Sequence, residues 1–464
     1  MPSSARKCAF FTLGCKVNQC DTESLATLFR ERGYDIVDFD SAADVYCINT
    51  CTVTSASEKK SRQAIRRARR RNPSAVVAVV GCYAQVAPEE VAAIPGVDVV
   101  AGILERGRLV DLVERVLDGG GPVVEVGRGR PSGRFEELPV AAGARARTRA
   151  FIKVQEGCDE FCSYCRVPHA RGASRSRRPE CVLSEVRRFV NSGYKEIVLT
   201  GIHLGAYGKD LDPLDTGDRP GLAWLVERVH EVEGLGRVRL SSVEPLDVDE
   251  PLIRAVASLP RVAKHFHIPL QSGDNEVLVM MNRRYRTSDY ERVIARIRDA
   301  ISPVGITTDV MVGFPGETEE RFARSFEFAR RVGFTKMHVF AYSPRPGTRA
   351  ARMTPQVDHA TKHARSEAMI ALGRELGFRF HKSLVGLRED VLVEGRERGD
   401  RVVVEGLGST YVRIQLLEEA TRASEIGDIV PVTVVGACPD GVTARRLSPP
   451  VGSQGGSGTV RENL

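Results

Sequence analysis

No apolar run in the 464 residues is long enough to cross a bilayer. The opening Met1-Pro-Ser-Ser-Ala-Arg-Lys runs into a strand-like Cys8-Ala-Phe-Phe-Thr-Leu with no signal-peptide core. Excess charge is scarce as well. The 67 basic and 60 acidic residues leave +7, so an electrostatic partner must be recognised by local clusters. These absences point away from a helical membrane protein and from an exported one, and a cytoplasmic chain is expected. Cysteine, by contrast, is plentiful: eleven in a chain without an export signal argue for reduced thiols and metal ligation, not a disulfide framework. The length suffices for two or three domains with buried cores.

The densest cysteine stretch is Cys158-Asp-Glu-Phe-Cys162-Ser-Tyr-Cys165, just after the apolar Phe151-Ile-Lys-Val. Three thiolates on one loop serve a metal centre three ligands at a time, whereas structural zinc takes four. An iron–sulfur cube with three protein thiolates leaves one iron open. A zinc loop borrowing a distant ligand, or three buried structural thiols, is the alternative. The C-x3-C-x2-C spacing with Tyr164 before the last cysteine resembles the cluster loop of the radical S-adenosylmethionine (SAM) superfamily.

Residues 7 to about 120 alternate strands and helices, which predicts a small parallel α/β domain. Strands are expected at Lys7–Gly14, Asp44–Asn49, Ala75–Val80 and Val97–Leu104, and helices at Glu23–Gly33, Glu58–Arg71 and Arg108–Leu117. Cys15, Cys51 and Cys82 each follow a strand, and parallel sheets gather such positions on one edge. The three are therefore expected to meet as a second thiolate trio, with the adjacent glycines admitting a bulky cofactor. Cys8, Cys20, Cys47, Cys181 and Cys438 read as inert. The helix ending at Arg71 carries eight basic residues and one acid, a charge run suited to a solvated face or to a phosphate backbone.

From about 119 to 149 the pattern dissolves into Gly119-Gly-Gly-Pro, Gly127-Arg-Gly-Arg-Pro-Ser-Gly-Arg and Ala144-Arg-Ala-Arg-Thr-Arg149, a basic linker. Residues 150 to 375 then repeat a strand–helix unit six times, predicting an open, incomplete barrel with its chemistry at the strand C-termini. Thr200-Gly-Ile-His203, Ser241-Ser-Val-Glu244, His267-Ile-Pro-Leu-Gln271, the stretch opening at Asp309 and Tyr342-Ser-Pro-Arg345 line that mouth. A helix from His359 to Phe380 leads to five short strands between 383 and 447, a small closed barrel of the kind that binds nucleic acid. The fold class is thus α/β with a C-terminal β-barrel. Its domains are 1–120, a linker 121–149, 150–382, 383–447 and a Gly/Ser-rich, disordered tail 448–464.

In this order the chain resembles the radical-SAM methylthiotransferases over nearly its whole length. Thr12-Leu-Gly-Cys-Lys-Val-Asn-Gln19, Asn49-Thr-Cys-Thr-Val-Thr54, Lys60-Ser-Arg-Gln and Gln155-Glu-Gly-Cys-Asp-Glu-Phe-Cys-Ser-Tyr-Cys look like that family's MtaB branch. The resemblance implies an auxiliary 4Fe–4S cluster on Cys15, Cys51 and Cys82, and a SAM-binding 4Fe–4S cluster on Cys158, Cys162 and Cys165. It also implies a C-terminal TRAM domain that binds RNA, and a methylthio group added at C2 of N6-threonylcarbamoyladenosine, position 37, beside the anticodon of tRNA. An unactivated aromatic C–H needs radical chemistry, for which the cofactors carry the hard step. Tyr164, Glu244 and Gln271 are the candidate SAM contacts, and a flavodoxin or ferredoxin the candidate electron donor. Arg166, Arg171, Arg175, Arg177 and Arg178, close to the cluster loop, are open to RNA phosphate, SAM carboxylate or neither. Cys20 departs from the family, which usually has tyrosine there. The rival substrates are N6-isopentenyladenosine in tRNA and an aspartate of a ribosomal protein. A non-catalytic iron–sulfur RNA-binding protein is the rival of another class.

Overall fold

The computed structural model describes residues 5–52, 55–141, 148–213, 217, 219–398, 401–417 and 426–447. Arg145, Arg147 and the expected tail from 448 lie outside them.

Near the N-terminus, six parallel strands stand in the order Asp35–Val37, Lys7–Thr12, Val45–Thr50, Val76–Gly81, Val99–Ala101, Val123–Glu125. Val45–Thr50 and Val76–Gly81 are buried at every position, because helices cover both faces of the sheet. Helix Ser55–Arg71 lays Ala64, Ile65 and Ala68 on one face. Helices Lys16–Glu31 and Leu109–Leu117 cover the other with Leu25, Phe29, Leu109 and Leu112. The first helix starts seven residues before the expected Glu23. Cys15 occupies its N-cap position in extended conformation without a side-chain cap, so none of the usual start signals precedes it. The sixth strand falls in the stretch that reads as linker, where only three residues pair with Val99–Ala101.

Strands Arg149–Lys153, Glu196–Thr200, Arg237–Leu240, His265–His267, Gly305–Val312 and Lys336–Ala341 follow in sequence order as a curved parallel array. Its ladder is continuous within the first three and within the last three. Between the halves it narrows to isolated bridges, Val238↔Val262 and Ser242↔His267, so the array is a partial barrel with a thin seam. The first and last strands leave the barrel open on one side. Helices pack outside through Val186, Leu225, Ile253, Ile297 and Phe328, in one continuous core.

Helix His359–Ser383 leads to a closed barrel of Arg388–Arg398, Arg401–Leu407, Arg413–Leu416, Gly441–Arg446 and Ile429–Cys438, filled by Val391, Val393, Ile414, Val432 and Val442. It docks at the N-terminal end of the central strands. Arg237 donates to Asp390 O and Leu407 O, and Arg239 to Gly408 O and Ser409 O, at 2.8–3.1 Å. Glu196, fully buried, binds both guanidiniums at 2.5 and 2.9 Å. Among the described residues no helix is long and apolar enough to cross a membrane.

Candidate functional site

Parallel pairing sets the first three cysteines side by side. The registers Thr12↔Asn49 and Thr50↔Gly81 bring the ends of three neighbouring strands level, and Cys15, Cys51 and Cys82 lie just past them. Cys15 is exposed, while Cys51 and Cys82 are buried. Asn18 fastens the edge by donating to Leu13 O at 2.6 Å and Thr50 O at 3.0 Å. The glycines also serve the sheet itself. A Cβ on Gly14 (φ +101°) would stand 2.9 Å from both Cβ and Sγ of Cys51. One on Gly81 (φ +94°) would meet Asn49 Oδ1 at 2.4 Å and Thr50 O at 2.5 Å. Both are therefore needed for the strand ends to close up on one another. Burial pushes the Cys82 thiol up to about 12, against the nearby guanidinium of Arg171 and with the other two cysteines.

The second trio is on the loop after Gln155–Glu156. Each sulfur has its own donor or cation. The Glu160 N–H reaches Cys158 Sγ at 3.5 Å, the Val167 N–H Cys165 Sγ at 3.4 Å, and Arg283 Nη1 Cys162 Sγ at 3.3 Å. His203 Nδ1 stands 3.9 Å from Cys158 Sγ, and its Nε2 lies 2.6 Å from Asp247. Burial disfavours the imidazolium, yet the hydrogen bonds to Asp247 and Cys158 carry its pKa up to about 10. Burial raises the thiols of Cys162 and Cys165 as well. Among the described residues no three His, Cys, Asp or Glu side chains converge as the ligands of one metal ion do. A cube presents a separate iron to each thiolate and needs no such convergence.

Arg171, six residues beyond Cys165 and fully buried, reaches the first trio from the segment that follows the second. Its Nε donates to Cys82 Sγ at 3.3 Å, Nη1 to Glu156 at 2.5 Å, and Nη2 to Asp21 at 2.8 Å. Arg106 and Lys153 complete this buried network, bonding Asp21 at 2.7 and 2.6 Å. From the far side Arg345 donates to Thr52, next to Cys51, at 3.2 Å and pairs with Glu58. The cysteine edge of the N-terminal sheet thus faces the mouth of the partial barrel.

The remaining candidates divide. Gln271 has φ +59°, and its Oε1 is buried with no hydrogen-bond partner. Glu244 is ion-paired with Arg283 and lines a cavity of about 250 Å3 with Glu160, His203, Asp247 and Tyr285. Tyr164 packs its ring edge-on against Phe314 at 6.4 Å between centroids. The loop arginines are mostly consumed by the protein itself. Arg175 donates to the carbonyls of Pro131, Ala173 and Arg171, Arg177 pairs with Glu137 and Glu185, and Arg166 touches Val86 O. Cys20 donates to Phe151 O at 3.5 Å on the first barrel strand. The linker lies as a strap over the loop: Arg130 donates to Cys158 O at 3.0 Å and its guanidinium covers Phe161 at 4.8 Å. On the basic helix Arg62, Arg67, Arg69 and Arg71 pair with Glu90, Asp40 and Asp98. Lys59, Arg66 and Arg70 form an exposed stripe at helical spacing with no acidic partner among the described residues.

Sequence reading missed Arg283 and Asp21, set Arg345 at the mouth without a partner, and held Lys16 only as part of a motif. Lys16 Nζ stands 6.0 Å from the centroid of Phe151, inside the barrel. Burial, then the guanidiniums of Arg149 and Arg239, bring its pKa down to about 8. Only its adjacency to Cys15 could have drawn notice to it.

Residues 7–102 match the family described as "Uncharacterized protein family UPF0004", and residues 152–329 the "Radical SAM superfamily". The chain is 45% identical over 368 residues to the threonylcarbamoyladenosine tRNA methylthiotransferase MtaB of Bacillus subtilis, covering 79% of this chain and 80% of that one. The MtaB of Thermotoga maritima is 37% identical over 441 residues, 94% and 96% of the two chains. A tRNA-2-methylthio-N(6)-dimethylallyladenosine synthase of Pelotomaculum thermopropionicum is 35% identical, over 93% and 96%. Among solved structures, the radical SAM methyltransferase TsrM of Kitasatospora setae superposes with a TM-score of 0.55 at 15% identity, over 86% and 81% of the chains, a likeness of fold. With both matched regions in place and relatives this similar along most of their length, the chain belongs to the radical-SAM methylthiotransferase family.

Proposed function

We propose that this enzyme replaces the C2 hydrogen of N6-threonylcarbamoyladenosine, at position 37 of tRNA, by a methylthio group. The names of the relatives most alike support the substrate. The observation that carries the reading is the Arg171 link, which ties Cys82 to the segment bearing Cys158, Cys162 and Cys165. Two reactive centres that must act on one base need such proximity.

A radical-SAM enzyme uses SAM and a 4Fe–4S cluster. Cys158, Cys162 and Cys165 would hold that cluster, and Cys15, Cys51 and Cys82 a second one. The donor set suits anionic sulfur: backbone N–H groups, a guanidinium and an imidazolium face the loop thiols, and Arg171 faces Cys82. When bound, the first cluster and SAM supply a carbon radical and the second cluster supplies sulfur. The protein's own contribution is to bind, orient and exclude water. Gln271 offers its free amide oxygen to SAM, and Glu244 does so only by sharing Arg283. Tyr164 and Phe314 wall the site. The strap and Arg345 close it from two sides. The stripe of Lys59, Arg66 and Arg70, with the TRAM-like C-terminal barrel, would meet RNA phosphates, which offsets the cost of unstacking the target base. A flavodoxin or ferredoxin would deliver the electron, and the setting is the cytoplasm.

Mass spectrometry of tRNA nucleosides from cells with and without the gene tests this reading. Loss of the methylthio form of N6-threonylcarbamoyladenosine alone is expected. Loss of the isopentenyl counterpart instead, or of a methylthio mark on a ribosomal-protein aspartate with tRNA unchanged, would replace it.

A further inference from the structure

The interior of the partial barrel follows from strand parity. Ala150 and Ile152 enter the core shared with the outer helices, so Arg149, Phe151 and Lys153 face the lumen. By the same alternation Arg239, His267, Asp309 and His338 face it from other strands.

Most of the charges there are matched. Arg149 lies 3.2 Å from Glu394, Arg237 and Arg239 share the carboxylate of Glu196, and Asp309 lies 3.3 Å from His267 Nε2. Lys16 is an exception, as is the exposed Lys336 at the start of the last strand. Helix Lys16–Glu31 covers the free edge of the first strand, where Cys20 meets Phe151 O, and its first residue turns into the lumen. Its ammonium feels the charges of Arg149, Arg239 and Asp309, yet finds no carboxylate partner and no hydrogen-bond acceptor among the described residues. The His338 ring, 5.8 Å from that of His267, borders the same space, and Phe340 beside it on the last strand is 39% exposed. A surplus cation in a half-desolvated, open lumen, one residue from Cys15, suits an anionic group brought to the thiol trio.

We propose that Lys16 binds a carboxylate on the N6 substituent of the target adenosine, with His338 as a second donor, and so selects a charged substituent over an apolar one. This rests on the reading of a modified tRNA adenosine as substrate. The threonylcarbamoyl group ends in a carboxylate. An isopentenyl group would leave the ammonium uncompensated, which is discrimination by an unpaired, partly desolvated charge.

The test compares an anticodon stem-loop RNA bearing N6-threonylcarbamoyladenosine with the same RNA as its threonyl methyl ester. Binding to full-length reconstituted enzyme is read by fluorescence anisotropy. Wild type is expected to favour the acid about tenfold, the ratio of one good charge contact. Lys16→Gln should bring that ratio to about one, Lys16→Arg should keep it, and His338→Gln should lower it about threefold. A ratio unchanged in Lys16→Gln, or no preference in wild type, overturns the proposal. SAM also carries a carboxylate, so SAM affinity is measured on the same proteins. Weakened SAM binding in Lys16→Gln with the RNA ratio intact assigns the ammonium to SAM and overturns it too. Should Lys16→Gln fail to hold iron, His338→Gln decides by the same ratio. If wild type methylthiolates neither RNA, the functional reading falls. If it modifies the acid and Lys16→Gln keeps the preference, only this inference does.

Discussion

Arg171 holds Cys82 Sγ at 3.3 Å and two buried carboxylates, Asp21 and Glu156, with one guanidinium. No other side chain matches that fork, and a lysine would serve one acceptor at a time. Arg171→Met leaves two buried carboxylates short of a cation, a loss of about 3 kcal/mol. Urea unfolding of the anaerobic protein should show a lower midpoint, and an unaltered one would mean that Arg106 and Lys153 suffice.

Gly14→Ala drives a methyl group into Cys51, 2.9 Å away, at a φ that alanine rarely adopts. The N-terminal trio should be spoiled and the loop trio spared. Iron per chain is expected to fall by about half, the share of one cube in two. Full iron content would show that the strand ends can spread apart.

The cysteines themselves separate the two roles. Cys158→Ala should abolish reductive SAM cleavage, whereas Cys51→Ala should retain it and yield no methylthio product. Product formation by Cys51→Ala at wild-type yield would remove the second cluster from the scheme.

Glu196 makes the docking of the C-terminal barrel sensitive to acid. Burial opposes its charge, but Arg237 and Arg239 prevail and bring its pKa from 4.5 to about 2. A depressed carboxylate stabilises the fold above its unfolded pKa, so the contribution is complete above pH 4.5 and disappears as pH falls towards 2. It amounts to about 3 kcal/mol. Glu196→Gln should therefore be less stable than wild type at pH 7, with the gap closing between pH 4.5 and 2. A constant gap would assign the loss to packing.

The grouping of Cys15, Cys51 and Cys82 was legible because parallel strands align their C-terminal ends whatever lies between them, so three strand ends alone sufficed. The barrel was legible for a similar reason, in the repeated strand–helix period. The long-range contacts of Arg171, Arg283 and Arg345 were not, since Cys82, Glu244 and Thr52 stand 89, 39 and 293 residues from them and no local pattern encodes such pairs. The glycines were read with the right freedom, but that Gly14 makes room for Cys51 depends on a chain segment 37 residues away and was not legible. The basic helix was overcounted, because Arg62, Arg67, Arg69 and Arg71 answer acids of a short helix and of loops elsewhere in the same unit. The linker's Val123–Glu125 was hidden by its brevity between glycines.

The small barrel grips the feet of the central strands, while the cysteines crowd around their heads. Strand Gly305–Val312, eight residues long, sets the separation at roughly 25 Å. Whatever touches both ends must itself be a stiff object of that reach, which a stem-loop is and a lone nucleoside is not. On the proposed tRNA substrate, trimming the stem is therefore expected to weaken capture even where every atom of the target base is intact.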